Sequence, residues 1–483
     1  MGKNVAFLTT LAFVLSMLVP VLYPDQDSLL GVPFAVLILI WAMPLMLALM
    51  RGEPWAFVIA LALLMFLTDA SFRTRSWADK SVDAQVLFKG AVWVGCGLVG
   101  VIRMSRAGWL LARPPALFGL LFICLLFVSA LWSPLPSYTM VSALAYALMF
   151  LFGLAAAEVL DERRLLYALA LGAGLIVLPS LAIAPFAMGL TPPSPGSTGT
   201  ADRLRGLTDH PIPLAEIGVL FTFAVAMLWH QARSFGPRLG LAILVVMGAV
   251  TVYLTQSRTP PLAMIAAALA FLAYRRGGGL LLVPTVTLCL GSVFLVESMG
   301  GLANVLPGDV LEVFSRSGSS KEVLTFSGRM DIWSNVIDHI SRAPVLGYGH
   351  AAGMALFKSF VRWKITHAHN MYLQSLLYTG VIGFTLLMGV FLCQLRMFAA
   401  HPSPVRDILV LYILLKGLTE QSVLSNLPSG TVAVWMVTVG MAAMAWRRQA
   451  AAATSIDTDA GTAPALPAST APFRGYGDRS HGR

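Results

Sequence analysis

SGRMDIWSNVIDHISRAPVLGYGH (327–350) and AAGMALFKSFVRWKITHAHNMYLQ (351–374) form the polar interruption in a chain that is otherwise an almost unbroken series of apolar segments. In the first stretch Ile332, Trp333, Val336, Ile337 and Ile340 recur at helical spacing, while Asp331, Asn335, Asp338 and Arg342 fall mainly on the other side, which predicts an amphipathic helix. Ser327 can cap its start and put Arg329 in the first turn; Pro344, Gly347 and Gly349 end it and force a turn. A second helix is expected over 351–364, with Met354, Phe357, Phe360, Val361 and Trp363 apolar and Lys358, Arg362 and Lys364 charged. A basic amphipathic helix beside a membrane span suits the interface. The stretch closes on His367-Ala368-His369-Asn370, where Asn370 is placed to cap the apolar helix that follows and His369 stands at its mouth.

Outward from this stretch, the composition admits one class. A chain of 483 residues that is 57% hydrophobic and 12% charged cannot hide its apolar surface in one soluble core. Windows long enough to cross a bilayer fall near 5–22, 29–50, 54–68, 86–103, 115–132, 139–159, 165–190, 211–230, 238–254, 260–274, 280–298, 370–395, 405–422 and 428–446. The expectation is an all-α, polytopic membrane bundle of about 12–14 transmembrane helices, the lower figure allowing for short segments and for the kinks that Pro20, Pro44, Pro179 and Pro185 can introduce. Its parts would be an N-terminal transmembrane bundle (1–298), a small helical loop domain (299–369), C-terminal transmembrane helices (370–446) and a disordered tail (447–483) rich in Ala, Thr, Pro and Gly. The first span lacks a cleavage-site pattern and is expected to be retained.

Alternate loops carry Lys3, Arg51, Arg103, Arg106, Arg113, Arg163, Arg164, Arg233, Arg238, Arg275, Arg276, Arg396, Arg406, Arg447 and Arg448. By the positive-inside rule these loops and both termini are cytoplasmic, and the 299–369 domain is extracytoplasmic. The net charge of +10 is therefore spent on membrane orientation, and a nucleic-acid partner is discarded. Cys96, Cys124, Cys289 and Cys393 lie in apolar segments without paired spacing, suggesting small core residues rather than a disulfide framework or a zinc site.

Every cluster with chemical promise falls on the outer side. Arg258 sits just before a helix that Thr259 can cap and Pro260 can start, so guanidinium and helix dipole converge on one spot suited to an anion; the plainer reading is an interfacial anchor. Arg329 in the first turn of the loop helix has a solvated charge as its alternative. Arg203-Leu204-Arg205, with Asp209 and His210 close behind, can recruit an anionic lipid head or simply solvate a Pro- and Gly-rich loop. His369 is the best candidate base, because the positive end of the following helix favours neutral imidazole and no Asp or Glu lies in the same motif; His367 is its rival. Asp25 and Asp27, or Asp69, Asp79 and Asp83, could hold a divalent cation, but no spacing demands it and surface solvation is the stronger reading. Lys416 and Glu420 lie near the outer edge of a late span. A transporter would need ionisable residues along a path through the membrane, and the middles of the spans are nearly free of them.

Ser327-Gly328-Arg329-Met330-Asp331-Ile332-Trp333, the Pro344–Gly349 turn, and His369-Asn370-Met371-Tyr372-Leu373-Gln374 followed by Gly380 and Gly383 resemble the signature region of the O-antigen ligase and polymerase superfamily. Gln256-Ser257-Arg258 and Thr419-Glu420-Gln421-Ser422 are similar to further family positions, so the resemblance covers about residues 203 to 430. It implies a metal-independent, inverting membrane glycosyltransferase without cofactor, working at the periplasmic face of the bacterial inner membrane. The donor would be an undecaprenyl-diphosphate-linked polysaccharide and the acceptor lipid A-core, with membrane lipids around the chain. Arg258 and Arg329, with Arg203 and Arg205 as further candidates, would hold the diphosphate. A histidine, His369 or His367, would activate the acceptor, supported by His210, Trp333, Asn370, Tyr372 and Glu420. An O-antigen ligase is the first expectation. An O-antigen or exopolysaccharide polymerase or a protein O-oligosaccharyltransferase is the alternative, and a lipid-linked oligosaccharide transporter stands further off.

Overall fold

A computed structural model describes residues 44–71, 84–186, 189–191, 203–277, 329–360 and 367–461. The chain is a polytopic helical membrane protein. Its helices are α1 (Pro54–Asp69), α2 (Ala84–Ala107), α3 (Pro114–Val128), α4 (Pro136–Val159), α5 (Glu162–Ile183), α6 (Pro211–Gln231), α7 (Phe235–Thr255), α8 (Thr259–Gly277), α9 (Arg329–Arg342), α10 (Gly353–Phe360), α11 (Met371–Ala400), α12 (Pro404–Lys416) and α13 (Gly430–Gly461). Seven of the described helices, α2 to α7 and α11, are long and apolar enough to cross a membrane, and α1 is a shorter apolar helix. The spans expected near 5–22 and 280–298, and most of the one near 29–50, lie outside the described residues.

The helices start where local chemistry says they should. Pro54, Pro114, Pro136 and Pro211 occupy first positions, where a missing N–H costs nothing. Asp161 and Asn370 cap α5 and α11 through their side-chain oxygens, Asn370 Oδ1 accepting from Tyr372 N and Leu373 N, both at 3.0 Å. Packing then follows small residues. A Cβ on Gly153 of α4 would come within 2.6 Å of Met436 of α13, and one on Gly440 within 2.5 Å of Ala157. Close approach of this kind holds helices together where lipid removes the hydrophobic drive. The core that results carries Tyr146, Tyr378, Tyr412 and Trp435 fully buried.

The structure departs from the sequence reading in several places. The segment expected over 405–422 stops being helical at Lys416, and residues 417–429 are loop. That irregular backbone is tolerated because protein rather than lipid surrounds it: Lys416, Glu420, Ser422, Val423, Leu424 and Ser425 are all buried. α13 continues to Gly461, past the boundary expected at 446, because the Ala-rich run after Arg448 favours helix; residues 462–483 lie outside the described set. The all-α chain also contains a two-residue antiparallel ribbon, β1 (Leu190–Thr191) with β2 (Arg203–Leu204). Asp69 is not a solvated surface carboxylate: its Oδ1 accepts the Gly430 N–H at 2.8 Å where the end of α1 meets the start of α13. Asp25, Asp27, Asp79 and Asp83 lie outside the described residues. Cys124 is exposed on the bundle rather than in its core, while Cys96 is buried.

The loop helix α9 forms as expected, with Ile332 and Val336 buried, but Ile337 is 55% exposed and does not belong to the packed face. The second loop helix is described only over Gly353–Phe360, with Phe357 buried. Between them, the Pro344–Gly349 turn is wedged into a break in α11. Gly380 adopts φ 60, ψ −166, which interrupts the helix. The freed groups are met by the turn: Tyr348 N and Gly349 N donate to Leu377 O and Tyr378 O at 2.9 Å, and Val381 N donates to Pro344 O at 2.8 Å. Gly380 is required twice over, by its positive φ and because a Cβ there would meet Val345 O at 2.2 Å. This joint fixes the loop helices against the N-terminal part of α11, and so against the histidines that precede it.

Candidate active site

The histidine loop is held before its side chains are considered. The residue between the two histidines is pinned on both sides, Ala368 N donating to Gln374 Oε1 at 2.7 Å and Ala368 O accepting from Trp333 Nε1 at 2.9 Å. Asn370 Nδ2 donates to Leu418 O at 2.9 Å, Met371 N to Gly417 O at 2.7 Å and the Tyr372 hydroxyl to Leu414 O at 2.8 Å. The 367–372 segment is therefore stitched to the α12 terminus, and Trp333, Asn370 and Tyr372 act here as positioning groups. His369 itself takes φ +48, a left-handed conformation that histidine adopts more readily than most side chains.

These constraints bring His369 Nδ1 to 3.1 Å from Glu420 Oε2 and set the His367 and His369 rings 4.1 Å apart between centroids. The His369 side chain is 21% exposed and Glu420 only 7%. The absence of a carboxylate from the histidine motif thus misleads, because one arrives from 51 residues downstream. A ring nitrogen donating to a carboxylate fixes the tautomer and leaves Nε2 with the lone pair. The ligand atoms of His367, His369 and Glu420 all lie within 4.8 Å of one another, close enough to hold a metal ion.

Cations approach from two other segments. Arg203, in β2, donates from Nε to Thr255 O at 3.0 Å and from its terminal nitrogen to Ser257 Oγ at 2.9 Å. It thereby staples the 203–210 loop to the turn that carries Arg258. Gln256 in that turn has φ +52. The Arg258 guanidinium makes no hydrogen bond or ion pair with any described residue, and it precedes the N-terminus of α8. Arg205 donates back to Thr208 O at 3.2 Å, which stiffens its own loop. His210 caps α6, its Nδ1 accepting from Ile212 N at 3.3 Å. Partial removal from water and the nearby Arg203 guanidinium hold its imidazole below the ordinary histidine value; Asp209 and Glu420 oppose that, and His369 adds to it. His210 is therefore within electrostatic reach of the His369–Glu420 pair. Arg329 is the first residue of α9, one turn before Trp333, and its side chain lies outside the described set.

One participant escaped the sequence reading. Glu216, in the second turn of α6, accepts from Thr431 Oγ1 at 2.6 Å and forms an ion pair with Lys416, both partners being largely buried. Its signal was present: a single carboxylate inside the apolar run Pro211–Gln231 is costly unless paired. Lys416 is consequently held toward α6. Three of the four described non-glycine residues with positive φ, Gln256, His369 and Ser422, lie in the three segments that converge here. Such backbone cost persists where surrounding structure over-determines it, which is common at functional sites.

A family model described as O-antigen ligase matches residues 242–388, a span that includes Arg258, Arg329, the wedged turn, both histidines and the break in α11. No curated protein matches the chain.

Proposed function

We propose, from the match of residues 242–388 to a family model described as O-antigen ligase, that the chain is a membrane glycosyltransferase of the O-antigen ligase and polymerase superfamily and, within it, an O-antigen ligase. In this reading it moves a polysaccharide from undecaprenyl diphosphate onto lipid A-core at the periplasmic face of the inner membrane. The observation that carries the reading is the His369–Glu420 pair at 3.1 Å, with His210 in electrostatic reach of that pair and of Arg203, which bonds the Ser257 hydroxyl next to Arg258.

The chemistry needs three things, and each has residues to supply it. An acceptor hydroxyl attacks the anomeric carbon from the face opposite the diphosphate. As the new C–O bond forms, its proton passes to His369 Nε2, and Glu420 stabilises the imidazolium that results. The old C–O bond breaks, its electron pair leaving with the diphosphate. The added negative charge is met by Arg258 and by Arg329, with the N-terminus of α8 contributing its dipole. Configuration inverts, no metal is needed, and the free polyprenyl diphosphate departs. His367 supports His369 rather than replacing it, because Glu420 orients the latter. Arg203 and Arg205, engaged with Ser257 and Thr208, shape the anion site more than they contact the anion. His210 lines the same mouth.

The alternative within the superfamily, a polymerase or protein O-oligosaccharyltransferase, uses the same donor and differs in acceptor. Purified protein given lipid-linked glycan with lipid A-core, and separately lipid-linked glycan alone, separates them. Product only in the first mixture supports the ligase; elongated lipid-linked glycan in the second replaces it with a polymerase. The periplasmic assignment is checked in spheroplasts by an impermeant thiol reagent. A cysteine placed at Ser319 should be labelled and one in the C-terminal tail should not.

A further inference from the structure

We propose that His367, His369 and Glu420 form a binding site for a divalent transition-metal ion of the zinc type, and that occupancy blocks transfer by taking the base out of service. The site stands on geometry alone; the blocking half rests on His369 being the base. Two imidazoles and one carboxylate are a donor set that zinc, cobalt and nickel favour and that magnesium and calcium, which prefer oxygen, do not. The donor atoms lie within 4.8 Å of one another. Metal–nitrogen bonds of about 2.0–2.1 Å would ask for only a small inward movement of side chains.

Preorganisation is what raises this cluster above a chance grouping. Both backbone groups of Ala368 are hydrogen-bonded, so the rings on either side are held 4.1 Å apart rather than free to diverge. Asn370 and Met371 tie the same loop to the α12 terminus, which fixes its distance from the Glu420 loop. Lys416, four residues before Glu420, is itself paired with Glu216. In the metal-free state the His369–Glu420 hydrogen bond occupies the same lone pairs that an ion would use. An ion bound through Nδ1 takes the place of the proton there, the neutral ring then carries its proton on Nε2, and no basic nitrogen is left facing the acceptor.

The test uses tag-free, full-length protein in detergent, treated with chelator and desalted. Cobalt(II) is the probe, because its visible absorption reports ligand type and geometry, and zinc is then added to displace it. The expected result is saturable binding of one ion per chain, displaced by zinc. Binding should weaken by at least about tenfold in each of His367→Gln, His369→Gln and Glu420→Gln. The conservative replacements keep side-chain size, and matching thermal melts exclude misfolding. Absence of saturable binding, or equal affinity in all three variants, overturns the site. In parallel, zinc should inhibit transfer by the wild-type protein and chelator should restore it. Tight binding without inhibition overturns the blocking half and removes His369 as base while leaving the metal site standing. Binding by a protein inactive on every donor leaves the site standing and fails the functional reading instead.

Discussion

At one end of the bundle Arg103 donates to Glu158 at 3.0 Å and lies over the Phe57 ring, and Arg406 bonds Asp407, Met397 O and His401 O within its own turn. At the other end His369 pairs with Glu420, and Lys416 at the end of the same helix that leads to Glu420 pairs with Glu216 of α6. Both ends bury charge, yet the first set is bonded to near neighbours or to one helix-end partner. The second draws on four segments of the chain, includes Arg258, whose guanidinium has no described partner, and has strained backbone at Gln256, His369 and Ser422. Buried charge alone therefore does not mark a site. Convergence, access from solvent and backbone cost together do.

The comparison breaks most sharply if the arginines proposed to hold the diphosphate prove idle. Arg258→Ala and Arg329→Ala are each expected to lower transfer by about two to three orders of magnitude, the scale for losing one charge-stabilising donor. Lysine at either place should retain partial activity, having the charge without the planar fork. Radiolabelled transfer at matched protein levels reads this out, and full activity of both alanine variants would return the arginines to membrane anchors. Glu420→Gln should be milder, about tenfold to hundredfold, because it removes the partner and not the base. A pH–rate profile identical to wild type would deny that Glu420 acts through His369. Arg406→Ala, from the other end, should lower the melting temperature while leaving turnover per folded molecule unchanged, since it leaves Asp407 buried without its cation. A large loss of turnover at unchanged stability would erase the distinction between the ends. Least of all should change on chelation: transfer is expected to survive EDTA, and activity restored by added magnesium or manganese would show that a cation shares the work.

Much of this was legible in the sequence, and the limits have physical causes. The amphipathic spacing of Ile332 and Val336, the Asn370 cap and the apolar windows between 86 and 254 and at 370–395 are local signals, and each is present in the fold. The wedge of Pro344–Gly349 into α11 shows in the sequence only as glycines, because the hydrogen bonds that explain them join residues 29 and more apart. Glu420 read as a minor helper, since nothing in Thr419-Glu420-Gln421-Ser422 says which histidine it faces. Glu216 is hard to see in the sequence because an apolar window averages a single carboxylate away. Pairing across the bundle is a tertiary fact, and one sequence reports it only as residues whose presence in a span is otherwise expensive.

The most direct test of the central claim is donor binding and transfer measured side by side in His369→Ala. The predicted result is that the variant binds the lipid-linked donor as the wild type does and loses transfer by about two to four orders of magnitude, the range for a missing general base. His367→Ala should be affected less. Loss of donor binding together with transfer would contradict the account and make His369 a phosphate-binding or structural residue, and an active His369→Ala beside an inactive His367→Ala would move the base two residues upstream.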